Sequence, residues 1–219
     1  EYFGLYKSTV HNILSTLKAM EYLEQDEETG KYRLGIQIFN LSKALGDTYS
    51  ITKIAGPYMQ ELSNYTGERC YLAVPYRQEV LYLDAMYPAD SIELMRSILG
   101  ERAQMHCTGL GKAMLANMGE REISDYLEHH KLEAFTENSI IDKKQFREEL
   151  LRTKQRGYAL DDMEHEFGIK CIAMPVFDRT KNVYAAISIS GMANHFTDAN
   201  IAEWAMLLKK YIRKIESRL

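Results

Sequence analysis

Apolar residues recur along this chain with two different periods, and the change of period divides it. Val10, Ile13, Leu14, Leu17 and Met20 fall at helical spacing and predict a helix within Leu5–Met20 that carries one apolar stripe. Lys7, Ser8, His11, Asn12, Ser15 and Lys18 lie on or near its other face. Two short extended runs around a turn ending at Gly30 predict a hairpin, with Lys31 and Arg33 on one face of its second strand by the two-residue period. Helices follow at Ile36–Tyr49, ended or weakened by Gly46, and at Ile54–Tyr65, with Pro57 in its first turns and Gly67 as its stop. The period then shortens. Cys70–Val74, Val80–Asp84, Ile92–Ile98, Ile169–Phe177 and Val183–Ser190 predict strands. Thr108–Met118, Glu120–His130, Lys143–Gly157 and Thr197–Arg218 predict helices. Meander pairs of strands with helices inserted between them imply an α+β architecture, an antiparallel sheet with helices packed around it.

A helix edged with small hydroxyl residues and followed by a hairpin suits DNA. Such residues cap a helix or approach phosphates and base edges without bulk, and Lys31 and Arg33 can contact phosphates beside the groove. Any amphipathic helix plus hairpin has the same pattern, and charge does not separate the two readings. Residues 1–50 hold five Lys/Arg against seven Asp/Glu, although Leu5–Met20 holds two lysines and no acid. The whole chain, 219 residues at formal charge −4, is long enough for one large or two modest domains and argues against an extended nucleic-acid coat. No apolar run reaches the ~20 residues of a membrane span. Three widely spaced cysteines, Cys70, Cys107 and Cys171, fit a reducing, cytoplasmic compartment.

Candidate chemistry lies in the second part. Thr108-Gly109-Leu110-Gly111-Lys112 precedes a helix, so its amides can face an anion such as a carboxylate, or it is simply a tight turn. It lacks the spacing of a phosphate loop. Ser188 and Ser190 stand two apart on a strand and share one side, whether solvent or pocket. His106-Cys107 raises a nucleophile pair, or a metal site with Cys70 and Cys171, but metal-ligand spacing is missing. Asp161-Asp162-x-Glu164 reads as a polar loop in preference to a divalent-cation site. No cofactor or metal is expected.

Lys7-Ser8-Thr9-Val10-His11, then Tyr22-Leu23-Glu24-Gln25-Asp26 and Glu28-Thr29-Gly30-Lys31-Tyr32-Arg33-Leu34-Gly35, resemble the winged helix-turn-helix of the IclR family of bacterial transcriptional regulators. The body resembles the family's effector domain through Gly67-Glu68, His106-Cys107-Thr108-Gly109-Leu110-Gly111-Lys112-Ala113, Gly157-Tyr158-Ala159-Leu160-Asp161-Asp162 and Ser188-Ile189-Ser190-Gly191, in the same order. The family often has Arg after the His, where this chain has Asn12. It also carries one further helix, and the first helix of the pair, before the position of Glu1.

The resemblance implies residues 1–35 as the later part of a winged helix-turn-helix, 36–50 as a linker helix, and 51–219 as a GAF-like effector-binding and oligomerisation domain. It implies contacts to double-stranded operator DNA at Lys7, Ser8, Thr9, His11, Asn12, Lys31 and Arg33. It implies effector contacts at Gly109, Leu110, Asp161, Cys171, Ser188 and Ser190, with apolar walls from Ile92, Met95 and Ile169. The expected effector is a small organic or aromatic acid, and the expected assembly a dimer or dimer of dimers. The alternatives are a sensing module with little DNA binding and, further off, a Cys-dependent enzyme.

Overall fold

The computed structural model describes residues 4–48, 51–90 and 98–219. The chain forms two compact units, Glu1–Ser50 and Ile51–Leu219. In the first, helix α1 (Lys7–Ala19) leads into strands β1 (Leu23–Gln25) and β2 (Tyr32–Leu34), then helix α2 (Gln37–Thr48). β1 and β2 pair antiparallel, with Glu24 opposite Arg33. Asp26 fastens the turn by accepting from the Thr29 N–H and hydroxyl, both at 2.7 Å. Gly35 is required where the chain leaves the hairpin, since a Cβ there would sit 2.1 Å from the Glu21 carbonyl oxygen. Lys31 lies just before β2 instead of within it. The apolar stripe of α1 is present, yet the helix has no buried residue, and Val10 and Ile13 are exposed.

The second unit is built on six antiparallel strands: β3 (Arg69–Tyr76), β4 (Glu79–Met86), β5 (Arg102–Gln104), β6 (Ala159–Asp162), β7 (Ile169–Phe177) and β8 (Val183–Met192). Their spatial order is β5-β4-β3-β8-β7-β6. Helices α3 (Ile51–Thr66) and α7 (Asp198–Glu216) cover one face, packing on Leu72, Ile172, Ile187 and Ile189. Helix α4 (Gly109–Leu115) covers the other, backed by α5 (Glu120–His129) and α6 (Lys143–Arg156). Alternate residues of each strand therefore enter different cores, which is why β7 and β8 are apolar along nearly their whole length.

Local chemistry sets the helix ends. Thr108, Asp142 and Thr197 each accept a backbone N–H of the following turn, from Gly111, Gln145 and Asn200. Gly157 ends α6 in the left-handed region, at φ +84°. α3 starts at Ile51, earlier than the apolar pattern predicts, so Pro57 lies in its interior. The strand predicted at Ile92–Ile98 falls almost wholly outside the described residues, as do Ile92 and Met95. Two strands escape the pattern: β5 has one apolar residue in three, and β6 ends in two aspartates.

α4 lies very close to the sheet. A Cβ on Gly109 would stand 2.7 Å from the Cys171 Sγ, and one on Gly111 would stand 2.2 Å from the Met105 Cα. The second neighbour is backbone and cannot rotate away. Gly111→Ala is therefore expected to destabilise the unit by about 2–3 kcal/mol through overpacking. Thermal denaturation checks this, with a midpoint lowered by roughly 4–10 °C.

Candidate functional site

Strand register brings distant residues into rows. Arg69, Ser190, Cys171 and Asp161 are successive cross-strand partners on β3, β8, β7 and β6. Two residues along, Tyr71, Ser188, Ala173 and Ala159 form a second row. The two-residue period puts both rows on the α4 face of the sheet. The alanines let α4 approach over one half. Over the other half a cavity of about 370 Å³ opens. Its wall includes Arg69, Tyr71, Tyr82, Thr108, Leu110, Asp161, Cys171, Ser188 and Ser190, with Ile169 and His165 at its edge.

Of the effector residues expected from sequence, Leu110, Asp161, Cys171, Ser188, Ser190 and Ile169 thus share one cavity. Gly109 does not line it, and its lack of a side chain is accounted for by the Cys171 sulfur. Close contact with the Cys171 sulfur and with the Met105 backbone accounts for the missing side chains of the two glycines.

Three groups give the cavity its chemistry. The Ser188 Oγ is buried and accepts or donates no hydrogen bond within ordinary geometry, with only the Cys171 thiol beside it. A buried hydroxyl left so is costly unless something occupies it. The Asp161 carboxyl is pushed up to about 7 by burial, against the opposing pull of the Glu164 N–H it accepts at 2.8 Å and of the Lys112 ammonium. Tyr71 and Tyr82 meet edge to face at 5.7 Å, and Arg69 bonds the Tyr71 hydroxyl. Arg69, Tyr71 and Tyr82 went unrecognised in the sequence, because only the pairing of β3 with β8 and β4 brings them to the serines.

Behind the cavity, Lys112 is fully buried. Its ammonium donates to the Leu160 carbonyl at 2.5 Å and to the Glu164 carboxylate. Burial raises the Glu164 carboxyl, and Lys112 opposes that shift. The acids of the Asp161-Asp162-x-Glu164 segment therefore diverge: Glu164 pairs with Lys112, Asp162 with Lys170 at 2.8 Å, and Asp161 lines the cavity. Among the described residues no group of three or more His, Cys, Asp or Glu is placed to hold a metal ion.

His106 and Cys107 point to different neighbours. His106 Nε2 lies 2.9 Å from the Glu133 carbonyl, whereas the Cys107 sulfur lies 3.6 Å from His165 Nδ1. Burial pushes the Cys107 thiol up to about 12, so it stays protonated and is no nucleophile at neutral pH.

In the first unit, Lys7, Ser8, Thr9, His11 and Asn12 are all exposed on α1, which contains no acid. Lys31 is exposed beside β2. Arg33 is not a free cation: its guanidinium pairs with Glu24 across the hairpin at 2.6 Å.

No described helix is long and apolar enough to cross a membrane. Residues 43–217 match the family model of the bacterial transcriptional regulator IclR C-terminal domain. The chain is 32% identical to the HTH-type transcriptional regulator XynR of Escherichia coli K12, over 94% of this chain and 82% of that protein. It superposes on the crystal structure of Thermotoga maritima IclR with a TM-score of 0.82 at 29% identity, covering 100% of this chain and 87% of the other. An IclR homologue from Microbacterium hydrocarbonoxydans, solved with 4-hydroxybenzoate, has the same fold at a TM-score of 0.84 and 23% identity, over 97% and 85% of the two chains. These relatives are transcriptional regulators and not enzymes, and the α+β architecture, the two serine-bearing rows and the matched span lead to one conclusion: this chain belongs to the IclR family of bacterial transcriptional regulators.

Proposed function

We propose that this protein binds operator DNA through its first unit and releases or tightens that grip when a small aromatic or organic acid enters the cavity between α4 and the sheet. The observation that carries the reading is the buried Ser188 hydroxyl, with no partner among the described residues but the weak Cys171 thiol, in the wall of a cavity with an aromatic side. A carboxylate satisfies it by accepting from the Ser188 and Ser190 hydroxyls and from the Leu110 N–H, an amide of the first turn of α4 with no partner inside that helix. Asp161 adds a fourth donor when protonated. The ring of an aromatic acid lies against Tyr71 and Tyr82. The cavity volume suits a ligand of this size, and the homologue holding 4-hydroxybenzoate supports the class.

For DNA, α1 is the recognition helix, with Lys7, Ser8, Thr9, His11 and Asn12 facing the groove and Lys31 and Arg33 beside it on the hairpin. Two such heads in a homodimer read two half-sites. The effector acts by binding the DNA-competent and incompetent assemblies unequally. The work is cytoplasmic, where the operator lies. One observation favours a second reading, a sensor with little DNA affinity. The Glu24 carboxylate neutralises Arg33, and the hairpin turn is acidic.

A thermal-shift screen of small carboxylates, 4-hydroxybenzoate included, is expected to find one that stabilises the protein. At about 100 times its dissociation constant the gain is about 2.7 kcal/mol. Ser188→Ala combined with Asp161→Ala abolishes that gain and leaves DNA binding intact. Stabilisation retained in this variant removes the pocket assignment.

The affinity for such a carboxylate falls as pH rises through about 7, by up to about tenfold per unit, because ionised Asp161 repels it and loses its donor. Calorimetric titration from pH 6 to 8 reads this, and Asp161→Asn flattens it. The ligand-free protein carries the linked sign. The folded state keeps a proton that the unfolded chain releases near 4, so stability declines between about pH 4 and 7.

Lys7→Ala is expected to weaken binding to the protein's own upstream DNA and to reduce the salt slope by about 1. Arg33→Ala does less, since Glu24 already holds the guanidinium. Fluorescence anisotropy at several salt concentrations measures both. Binding that is absent or insensitive to salt favours the sensor reading.

A further inference from the structure

A second cavity, of about 340 Å³, lies at the other end of α4, and it shares no residue with the first. β3, β8 and α4 each run from one to the other: Tyr71, Ser188 and Leu110 border the first, while Pro75, Val183 and Leu115 border the second. Both therefore open on the same face of the sheet.

The floor of the second cavity is apolar. Met105, Leu115 and Tyr126 are almost fully buried there, and Met118 completes it with a flexible side chain. The rim is polar and carries both signs of charge. Asp125 and Glu122 belong to α5, whereas Arg77 and Lys181 belong to the β3–β4 and β7–β8 turns.

These groups are not equally available. The Glu122 carboxylate accepts the Gly119 N–H at 2.9 Å, as a helix cap. The Arg77 guanidinium lies over the Tyr76 ring at 5.3 Å. Asp125 receives the Gln78 amide N–H at 2.5 Å and meets His129 at 3.2 Å. The Gln78 Oε1 is closed to solvent and does not face the cavity, whereas the Asp125 carboxylate stays half exposed and the Lys181 ammonium forms no ion pair among the described residues.

The backbone points the same way. Arg77, Gln78 and Lys181 all have positive φ, at 50°, 63° and 67°, with no glycine or asparagine among them. The two-residue turn between Tyr76 and Glu79 normally takes Asn-Gly. Here it accepts strain and hangs Arg77 and Gln78 at the mouth of the cavity.

We infer that this cavity is a second small-molecule site, distinct from the effector pocket, for a zwitterionic α-amino acid with an apolar side chain. The ammonium pairs with the half-exposed Asp125 carboxylate. The carboxylate meets Lys181, and the side chain rests on Met105, Leu115 and Met118. A lone amine leaves Lys181 unused, and a lone acid faces Asp125.

Isothermal titration calorimetry of the full chain tests this with three probes: L-leucine, isopentylamine and 4-methylpentanoate. L-Leucine is expected to bind at one site, with each half-analogue weaker by about tenfold or more. Lys181→Ala weakens L-leucine by about tenfold and leaves isopentylamine unchanged. Asp125→Asn weakens both. The Ser188→Ala, Asp161→Ala variant binds L-leucine as the parent does. The inference is overturned if L-leucine gives no binding at about 10 mM, a concentration that fills a millimolar site. It is also overturned if 4-methylpentanoate binds as tightly as L-leucine, if the rim variants bind unchanged, or if binding is lost in the Ser188/Asp161 variant.

Discussion

The close seating of α4 on the sheet is the constraint from which the second unit's other features follow. Seven residues of helix cannot hold that position by propensity alone. Gly109 and Gly111 remove the Cβ atoms that would strike Cys171 and Met105, and Ala159, Ala173 and Ala186 lower the sheet beneath. Lys112 then crosses the core to the Leu160 carbonyl and the Glu164 carboxylate, tying the helix to the segment after β6. A buried ion pair of this kind adds little net stability, but losing one partner leaves a charge that the core cannot solvate. It therefore defines where α4 sits more than how stable the unit is.

That position decides what is left open. The eight and ten residues of β3 and β8 reach further than the seven of α4, which rises only about 1.5 Å per residue, so the α4 face of the sheet stays uncovered beyond each end of the helix. At one end the gap is walled by the rows through Arg69 and Tyr71, at the other by two hairpin turns and α5. The first gap holds a carboxyl whose burial raises it to about 7 and a hydroxyl with no partner. Both features are costly in an empty core, and both become useful beside an anion that can accept from them. The same burial that tunes Asp161 silences Cys107, which keeps its proton beside His165. With its proton held, Cys107 supplies no thiolate there to attack a substrate.

Much of the fold is legible from the sequence for identifiable reasons. β7 and β8 show as apolar runs because both of their faces are covered, and α6 and α7 show through their caps and charge patterns. β5 and β6 do not show, since edge strands of three and four residues need only one or two apolar positions. The start of α3 is missed because Pro57 suggests a first turn that the helix does not have there. The site follows a similar division. Ser188, Ser190, Cys171 and Asp161 stand out within short motifs, whereas Arg69, Tyr71, Tyr82 and His165 look like ordinary strand and loop residues. The glycines of the Thr108–Lys112 segment suggest an anion loop, and the structure adds a steric demand: Gly109 lies against Cys171 of β7 and Gly111 against the Met105 backbone that leads into α4.

The alternation of each strand, the caps of the helices, the acid-free α1 and the order of motifs that identifies the family are written in the residues alone. These are properties of neighbours along the chain, where spacing alone sets which side chains share a face. Folding settles which rows align across β3, β8, β7 and β6, that Glu24 holds Arg33, that Lys112 is buried against Glu164, and that two cavities remain on one face of the sheet. Those depend on register and on the distance between elements. Both are set by the packing of residues far apart in sequence, which no local period encodes.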